Sequence, residues 1–191
     1  MIQKTLLLSV IVLLAIHAAG QQNNQTEFWN SLKSVCGQSF EGEVLRAPES
    51  DTNFRNKRLV MHVRSCEEGV IKIPFIVGDD YSRTWVFRML SDGIQLKQDH
   101  RHKDGSPDRI TMYGGTTSNS GRATVQYFPA DEETAKLLPA ASGNVWWVDM
   151  VPGKHFTYHL RRMGSETWFS IRFDLSKTIE TPAAPWGWEE Y

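Results

Sequence analysis

The pattern of hydrophobic and polar positions divides the chain into one short helical segment and a long series of strands. Near its start, apolar residues recur at the spacing of a single helix face, at Phe28, Trp29, Leu32, Val35 and Cys36. Thr26 is a candidate N-cap for this helix, and Gly37 is a candidate terminator. The pattern therefore predicts a short N-terminal helix.

Beyond Gly37 the hydrophobic period falls to about two residues, which is typical of strands. Turn sequences such as Asp92-Gly93 and Pro152-Gly153 recur at intervals of roughly ten residues and indicate hairpins. About ten strands are predicted, at Ser39–Ala47, Arg58–Cys66, Val70–Val77, Thr84–Leu90, Ile94–His102, Arg109–Gly114, Ala123–Phe128, Asn144–Val151, His155–Met163 and Thr167–Leu175.

One helical turn interrupts the strands, at Asp131–Leu138, with Asp131 as its cap and Pro139 as its end. Strands joined in chain order by hairpins favour a mainly β fold, an antiparallel up-and-down meander. Closing the meander into a barrel pairs its two edge strands, so a barrel is the preferred architecture. A two-sheet β-sandwich is the alternative.

The chain is predicted to hold one domain between an N-terminal leader and a C-terminal tail. Residues 21–177 would form the barrel, and residues 178–191 would follow as a tail rich in proline and tryptophan. We expect this tail to lie as an extended strap on the domain, with a frayed terminus as the alternative.

Residues 1–20 have the pattern of a secretory signal peptide. Lys4 precedes an apolar run from Leu6 to Ile16, and small residues follow before Gln21. The run of about eleven residues is shorter than the roughly 20 needed to span a bilayer. The sequence thus predicts a soluble protein without a membrane anchor, secreted or periplasmic after cleavage near Gly20-Gln21.

The chain contains two cysteines, Cys36 at the end of the predicted helix and Cys66 at the end of the second predicted strand. In an oxidising compartment a disulfide between them is expected. Closing a loop of this length would stabilise the fold by about 3 kcal/mol. Two buried free thiols are the alternative.

The net charge and the absence of common motifs argue against nucleic-acid binding and against several classes of enzyme. The formal net charge of −1 argues against a nucleic-acid partner, which would favour a basic face. The sequence lacks a Gly-x-Ser-x-Gly elbow, a His-Glu-x-x-His motif, a phosphate-binding loop and a dinucleotide fingerprint. These observations favour a non-enzymatic protein, and they predict no cofactor.

The segment from Lys97 to Asp108 holds the one candidate metal site. His100 and His102 would share a strand face, where two imidazoles can bind one metal ion. The further ligands considered are Asp99, Asp104, His62, His155 and His159. A solvated hairpin tip is the alternative interpretation.

Other candidate ligand-binding residues lie on strands with two distinct faces. His62 and Arg64 share one face of a strand, and His155 and His159 share one face of another. They would be outer-face residues around an apolar core, or they would line the cavity of a barrel with a polar lumen. Arg83 could bind a polar group at a barrel mouth, although its neighbours Asp79, Asp80 and Ser82 are also typical turn caps.

Several motifs spread along the chain resemble those of a family of uncharacterised secreted bacterial proteins. They are Phe28-Trp29, Cys36-Gly37, Leu59-Val60-Met61-His62-Val63-Arg64, Ser82-Arg83-Thr84-Trp85, Asp99-His100-Arg101-His102, Tyr113-Gly114-Gly115, Phe128-Pro129-Ala130-Asp131 and Asn144-Val145-Trp146. This resemblance implies export and a single domain, and it supplies no functional residue. The meander also resembles the lipocalin and fatty-acid-binding barrels in architecture, but Ser39-Phe40-Glu41-Gly42-Glu43 stands where lipocalins have Gly-x-Trp.

Three functions are consistent with these patterns. The preferred one is an exported β-barrel that binds a small or amphipathic ligand. The second is a metal-dependent site around His100 and His102, with hydrolysis as one option. The third is an interaction module of the cell envelope that uses the tail as its contact surface.

Overall fold

A computed structural model describes residues 24–188, so the proposed signal peptide and the last three residues lie outside the described part. Helix α1 covers residues 24–33 and α2 covers Glu132–Leu137, followed by a 3-10 turn at Pro139–Ala141. Eleven strands make up the rest: β1 Ser39–Arg46, β2 Leu59–His62, β3 Ser65–Glu67, β4 Val70–Val77, β5 Asp80–Met89, β6 Ile94–His100, β7 Tyr113–Thr116, β8 Val125–Pro129, β9 Asn144–Val151, β10 His155–Arg162 and β11 Trp168–Asp174.

All strands belong to one antiparallel sheet that is nearly closed into a barrel. Its order is β7-β6-β5-β4-β2-β1-β11-β10-β9-β8, with β3 paired to β4 at one side. The two ends of this order, β7 and β8, meet through an antiparallel bridge between Gly115 and Ala130. The barrel prediction is therefore confirmed, and the two-sheet sandwich is not formed.

Glycine makes this closure possible. A Cβ at Gly115 would overlap the carbonyl oxygen of Pro129, and a Cβ at Gly114 would overlap that of Leu96. Gly114 also adopts φ 157°, which side chains rarely allow. Gly115 thus permits the close backbone approach at the seam between β7 and β8, and Gly114 permits the close approach of β7 to β6.

Helix α1 closes one end of the barrel. Its apolar face, including Phe28 and Leu32, is fully buried in the main hydrophobic core. Gln25 donates hydrogen bonds to Thr117 Oγ1 and to the carbonyl oxygen of Asn119 in the β7–β8 connection. Within residues 24–188, no helix is both long and apolar enough to cross a bilayer.

The predicted disulfide is present between Cys36 and Cys66. Cys36 follows α1 and Cys66 lies on β3, so the bond fastens the end helix to the barrel wall. This confirms the pairing expected from the sequence.

The interior is filled by the inward face of each strand. On β9 the side chains alternate strictly between buried and half-buried, so Trp146, Val148 and Met150 point inward. Aromatic rings dominate the centre, where Trp85 stacks on Phe75 at 4.8 Å and on Tyr158 at 4.6 Å between ring centroids. The period-two pattern of the sequence predicted strands with two distinct faces, and the structure shows which face points inward.

The tail runs along the outside of the barrel as far as Trp188. The amide of Ile179 donates to Ser39, and that of Trp186 donates to Tyr81. Trp188 reaches β6, where its indole Nε1 donates to Asp99 Oδ2 at 3.1 Å. In its described part the tail is an extended strap that crosses the outer face of the barrel from β1 to β6.

Several predicted boundaries are wrong. Helix α1 already includes residues 24–26, so Thr26 lies within the helix and not at its N-cap. The strand predicted at Arg58–Cys66 is split into β2 and β3, because Val63 bonds back to Gln38 and Gly37 while Arg64 bonds to Lys72. In place of a strand at Arg109–Gly114, a long loop leads to β7. The turn around Asp131–Leu138 agrees with α2, whose N-cap is Asp131.

Candidate functional site

A cavity of about 320 Å³ lies at the end of the barrel opposite α1. The connections after β1, β6, β8 and β10 surround it, and Phe54 and Leu138 from two of these connections form part of its wall. Its volume is at the lower end of the range of about 300–1,000 Å³ typical of small-molecule sites. The cavity is thus the candidate ligand site of this protein.

The wall of the cavity is mainly aromatic. Seven lining residues are Phe, Tyr or Trp, namely Phe54, Phe75, Trp85, Tyr113, Trp146, Tyr158 and Phe169. Trp85 and Trp146 are almost fully buried, so they form the floor where the cavity meets the core. An apolar group placed here would be removed from water on several sides, which favours binding.

Polar side chains line the same cavity because the inward rows of β6 and β10 become polar near the ends of these two strands. On β6 the row Ile94, Leu96, Gln98 and His100 begins apolar and ends polar. On β10, Tyr158 and Leu160 are followed by Arg162. The polar ends lie at the mouth, and the apolar parts lie toward α1.

Gln98 carries a buried polar atom that lacks a partner. The hydroxyl of Tyr158 donates to Gln98 Oε1 at 3.0 Å. Gln98 is 7% exposed, and its Nε2 has no hydrogen-bond partner among residues 24–188. An unpaired buried amide N–H is unfavourable, and this one belongs to a residue of the cavity wall.

His100 and Tyr113 form a hydrogen-bonded pair at the mouth. His100 Nε2 and Tyr113 Oη are 3.1 Å apart. Burial, together with the nearby Arg83 guanidinium, lowers the pKa of His100 below its usual 6.5. Burial raises the pKa of Tyr113 to about 12. At neutral pH a neutral imidazole and a protonated phenol therefore share this bond.

Two arginines reach the cavity, and their surroundings differ. The Arg83 guanidinium forms an ion pair with Asp80. Burial alone would raise the pKa of Asp80, but hydrogen bonds from Ser82 and Arg83 lower it below its usual range. Arg162 Nε donates instead to the neutral amide oxygen of Asn144 at 3.0 Å. None of the ion pairs found in residues 24–188 includes Arg162.

The structure brings only two of the predicted ligand-binding residues to this cavity, Arg83 and His100. The other five lie outside it: His62, Arg64, His102, His155 and His159. The lumen placement considered for His62, His155 and His159 is corrected, because Met61, Phe156 and Tyr158 are the residues that point inward.

Four of these five residues have side-chain partners outside the cavity: His62, Arg64, His155 and His159. His62 Nδ1 lies 2.8 Å from Ser39 Oγ, and burial lowers the pKa of His62. Arg64 donates to the carbonyl oxygen of Trp188 in the tail. His155 Nε2 lies 3.2 Å from Asp149 Oδ1. These contacts account for the polar residues on strands that the sequence pattern singled out.

His159 belongs to a stack of rings on the outer surface. Its ring lies parallel to that of Trp147 at 4.5 Å, and its Nδ1 lies 2.8 Å from Ser170 Oγ. Burial against these neighbours lowers the pKa of His159 to about 4. The ring is therefore neutral over the physiological pH range.

The strand that would align His100 with His102 ends at His100. His102 is exposed in the following loop, whereas His100 faces the cavity. Over residues 24–188, no group of three or more His, Cys, Asp or Glu side chains converges as metal ligands would. A metal-binding role for His100 and His102 stays a prediction from their spacing.

Sequence reasoning did not propose Gln98, Tyr113, Asn144, Tyr158 or Arg162 as ligand-binding residues, although all five line the cavity. The alternation on β10 carried the signal for two of them, because Phe156, Tyr158 and Leu160 share a face and the next residue on that face is Arg162. Tyr113 gave no such signal, since the strand containing it was placed too early in the chain.

Fold and site together define a class: a nearly closed antiparallel β-barrel with a ligand-sized cavity at one end. Comparison with known proteins finds no matching family model, no matching curated protein and no matching solved structure. The resemblances to an uncharacterised secreted family and to lipocalin-like barrels accordingly stay predictions.

Proposed function

We propose that this protein is an exported, non-enzymatic β-barrel that binds a small amphipathic molecule in the cavity at its mouth. The observation that carries the proposal is the cavity of about 320 Å³, whose wall is aromatic and whose rim carries Arg83, His100 and Arg162. An apolar wall with a few oriented polar groups is the usual composition of a small-molecule site.

The export part of the proposal has two supports. The first 20 residues have the pattern of a cleavable signal, and the Cys36–Cys66 disulfide fits an oxidising compartment. Expression of the full chain in a bacterium, followed by mass spectrometry of the exported protein, is expected to find a product that begins at Gln21. An uncleaved product retained in the cytoplasm would contradict export.

Binding is tested with N-phenyl-1-naphthylamine, an uncharged apolar dye whose fluorescence rises on leaving water. We expect saturable binding to the purified protein. Leu160→Trp, which adds volume inside the cavity, is expected to weaken dye binding tenfold or more. Tyr127→Trp is the matched control, because Tyr127 is exposed on the outer face of β8 and touches no part of the cavity.

Overpacking at Leu160 could cost about 1–3 kcal/mol of stability, so folding of the variant is checked by circular dichroism and urea unfolding. Thr167→Phe fills the rim from a loop and serves as a second variant where Leu160→Trp does not fold. Dye binding that is absent from the original protein, or that is equal in all folded variants, would overturn the proposal.

A further inference from the structure

The cavity lining contains positively charged residues but no negatively charged ones among the described residues. Two arginines line the cavity, and none of its described lining residues is aspartate or glutamate. Arg83 is neutralised by Asp80, but the described partner of the Arg162 side chain is the uncharged Asn144. One positive charge at the mouth is thus left without an opposite charge among residues 24–188.

A guanidinium offers a planar fork of donors that matches a carboxylate or a sulfonate. The Nε of Arg162 is held by Asn144 at 3.0 Å, which orients the plane of the group. Both residues occupy paired positions on neighbouring strands, Arg162 on β10 and Asn144 on β9. The arginine is therefore placed by the barrel wall and not by a mobile loop.

A second observation points to the same kind of ligand. Gln98 lines the cavity, and its side-chain Nε2 is a buried donor without a partner among the described residues. Its own oxygen is already occupied by the hydroxyl of Tyr158. The cation at the mouth and the unsatisfied donor of a lining side chain both favour an occupant that carries an acceptor oxygen.

The aromatic wall of the cavity indicates the chemistry of the apolar part of the ligand. Aromatic side chains surround the space between Trp85 on the floor and Phe169 near the rim. Rings pack against such walls by offset stacking and by edge-to-face contacts. The wall therefore favours a ring over a flexible chain.

Resting on the function proposed above, we infer that the ligand is an aromatic anion. Its ring system lies against the aromatic wall, and its single carboxylate or sulfonate is bound by Arg162.

The inference is tested by isothermal titration calorimetry with three compounds that share one ring system. They are 2-naphthoate, 2-naphthalenemethanol and 2-naphthylmethylamine, which carry an anionic, a neutral and a cationic head. We expect the carboxylate to bind at least tenfold more tightly than the alcohol, and the amine to bind most weakly. Octanoate, an anion without a ring, is expected to bind at least fivefold more weakly than 2-naphthoate.

Arg162→Met is expected to weaken 2-naphthoate binding tenfold or more while leaving the alcohol within twofold. The matched control is Arg161→Met, because Arg161 is the next residue on β10 but points outward and is exposed. It should leave both affinities unchanged. Arg162→Gln replaces the first variant if that one does not fold.

The outcomes separate this inference from the function on which it rests. Equal binding of the carboxylate and the alcohol would contradict the inference that the ligand is an anion, and so would unchanged affinities in the Arg162→Met variant. Either result is still compatible with the proposal that the barrel binds a small molecule. If octanoate binds as tightly as 2-naphthoate, the inference that the ligand contains an aromatic ring is wrong. If neither the naphthyl compounds nor the neutral dye bind, the proposed function itself fails.

Discussion

The indole Nε1 of Trp188 donates a hydrogen bond of 3.1 Å to Oδ2 of Asp99, a carboxylate that is 3% exposed on the outer face of the barrel. Arg101 Nε donates to the same oxygen at 2.8 Å, and Thr111 Oγ1 donates to the other oxygen at 3.0 Å. The Trp188 ring also lies under the Lys72 and Arg101 side chains, at 4.1 and 4.5 Å from the ring centroid. This contact fastens the C-terminal strap to β6.

The first prediction is that this hydrogen bond holds the strap. Trp188→Phe keeps an aromatic ring but removes the donor, so the free energy of unfolding should fall by about 1–3 kcal/mol. The C-terminal residues should also become more accessible to protease. Urea unfolding and limited proteolysis measure the two effects.

Trp186→Phe is the control, because the backbone amide of Trp186 still donates to Tyr81 after the change. It should have a clearly smaller effect. If both substitutions lower stability equally, the hydrogen bond to Asp99 is not what anchors the strap.

The second prediction concerns the seam between β7 and β8. Gly115→Ala places a Cβ against the carbonyl oxygen of Pro129, so the two strands must separate. We expect a loss of about 1–3 kcal/mol or more. Hydrogen exchange should become faster in Tyr113–Thr116 and Val125–Pro129.

Gly143→Ala is the matched control for the seam. A Cβ there would lie 3.5 Å from the nearest atom, the carbonyl oxygen of Met163, which is an ordinary contact. Unchanged exchange at the seam of the Gly115→Ala variant would contradict the role assigned to this glycine.

The third prediction concerns the disulfide. Cys36 and Cys66 are 30 residues apart, and replacing both with serine should lower the free energy of unfolding by about 3 kcal/mol. Denaturant unfolding with and without a reducing agent measures the effect. Reduction should destabilise the original protein to the level of the double variant and leave the double variant unchanged. A protein whose stability does not respond to reduction would show that the bond does not stabilise the fold.

The fourth prediction is a loss of stability in mild acid caused by His159. Burial lowers the pKa of His159 from 6.5 to about 4, so the unfolded chain binds the proton first as the pH falls. Stability that is present at neutral pH is therefore lost between about pH 6.5 and pH 4. Allowing for its partial exposure, this residue should contribute about 1–2 kcal/mol of that loss.

The variant for this test is His159→Phe, which can still stack on Trp147 but does not titrate. Its unfolding free energy should vary less between pH 7 and pH 4 than that of the original protein. Ser170→Ala removes the hydrogen bond to Nδ1 but keeps the titrating ring, so it serves as the control. Parallel pH profiles for the original protein and His159→Phe would exclude this residue as the source of the acid sensitivity.

Much of the fold could be predicted because its determinants are local. The strands Val70–Val77 and Asn144–Val151 were predicted with the observed bounds, since the period-two pattern and the adjoining turn residues are properties of neighbouring positions. Asp131 was predicted as the cap of α2 for the same reason: its side chain accepts from the amide of Thr134, three residues away.

The candidate site was predicted less well, because its residues come from distant parts of the chain. The sequence drew attention to His62 and His155 as polar residues on strands, but their partners Ser39 and Asp149 lie on the outer face. No motif in the sequence marks Arg162 as a ligand-binding residue. It becomes a candidate ligand-binding residue only because the barrel places it in one cavity with Gln98.

By itself, the sequence determined the class of fold, the end helix, most strand positions and the pairing of the two cysteines. Periodicity, turn chemistry and a cysteine count of two are enough for these, because each depends on spacing along the chain. The tertiary structure decided which face of each strand points inward, where the barrel closes and which side chains meet at its mouth. Those features depend on pairing between strands far apart in sequence, and such contacts form only when the sheet curves until Gly115 meets Ala130.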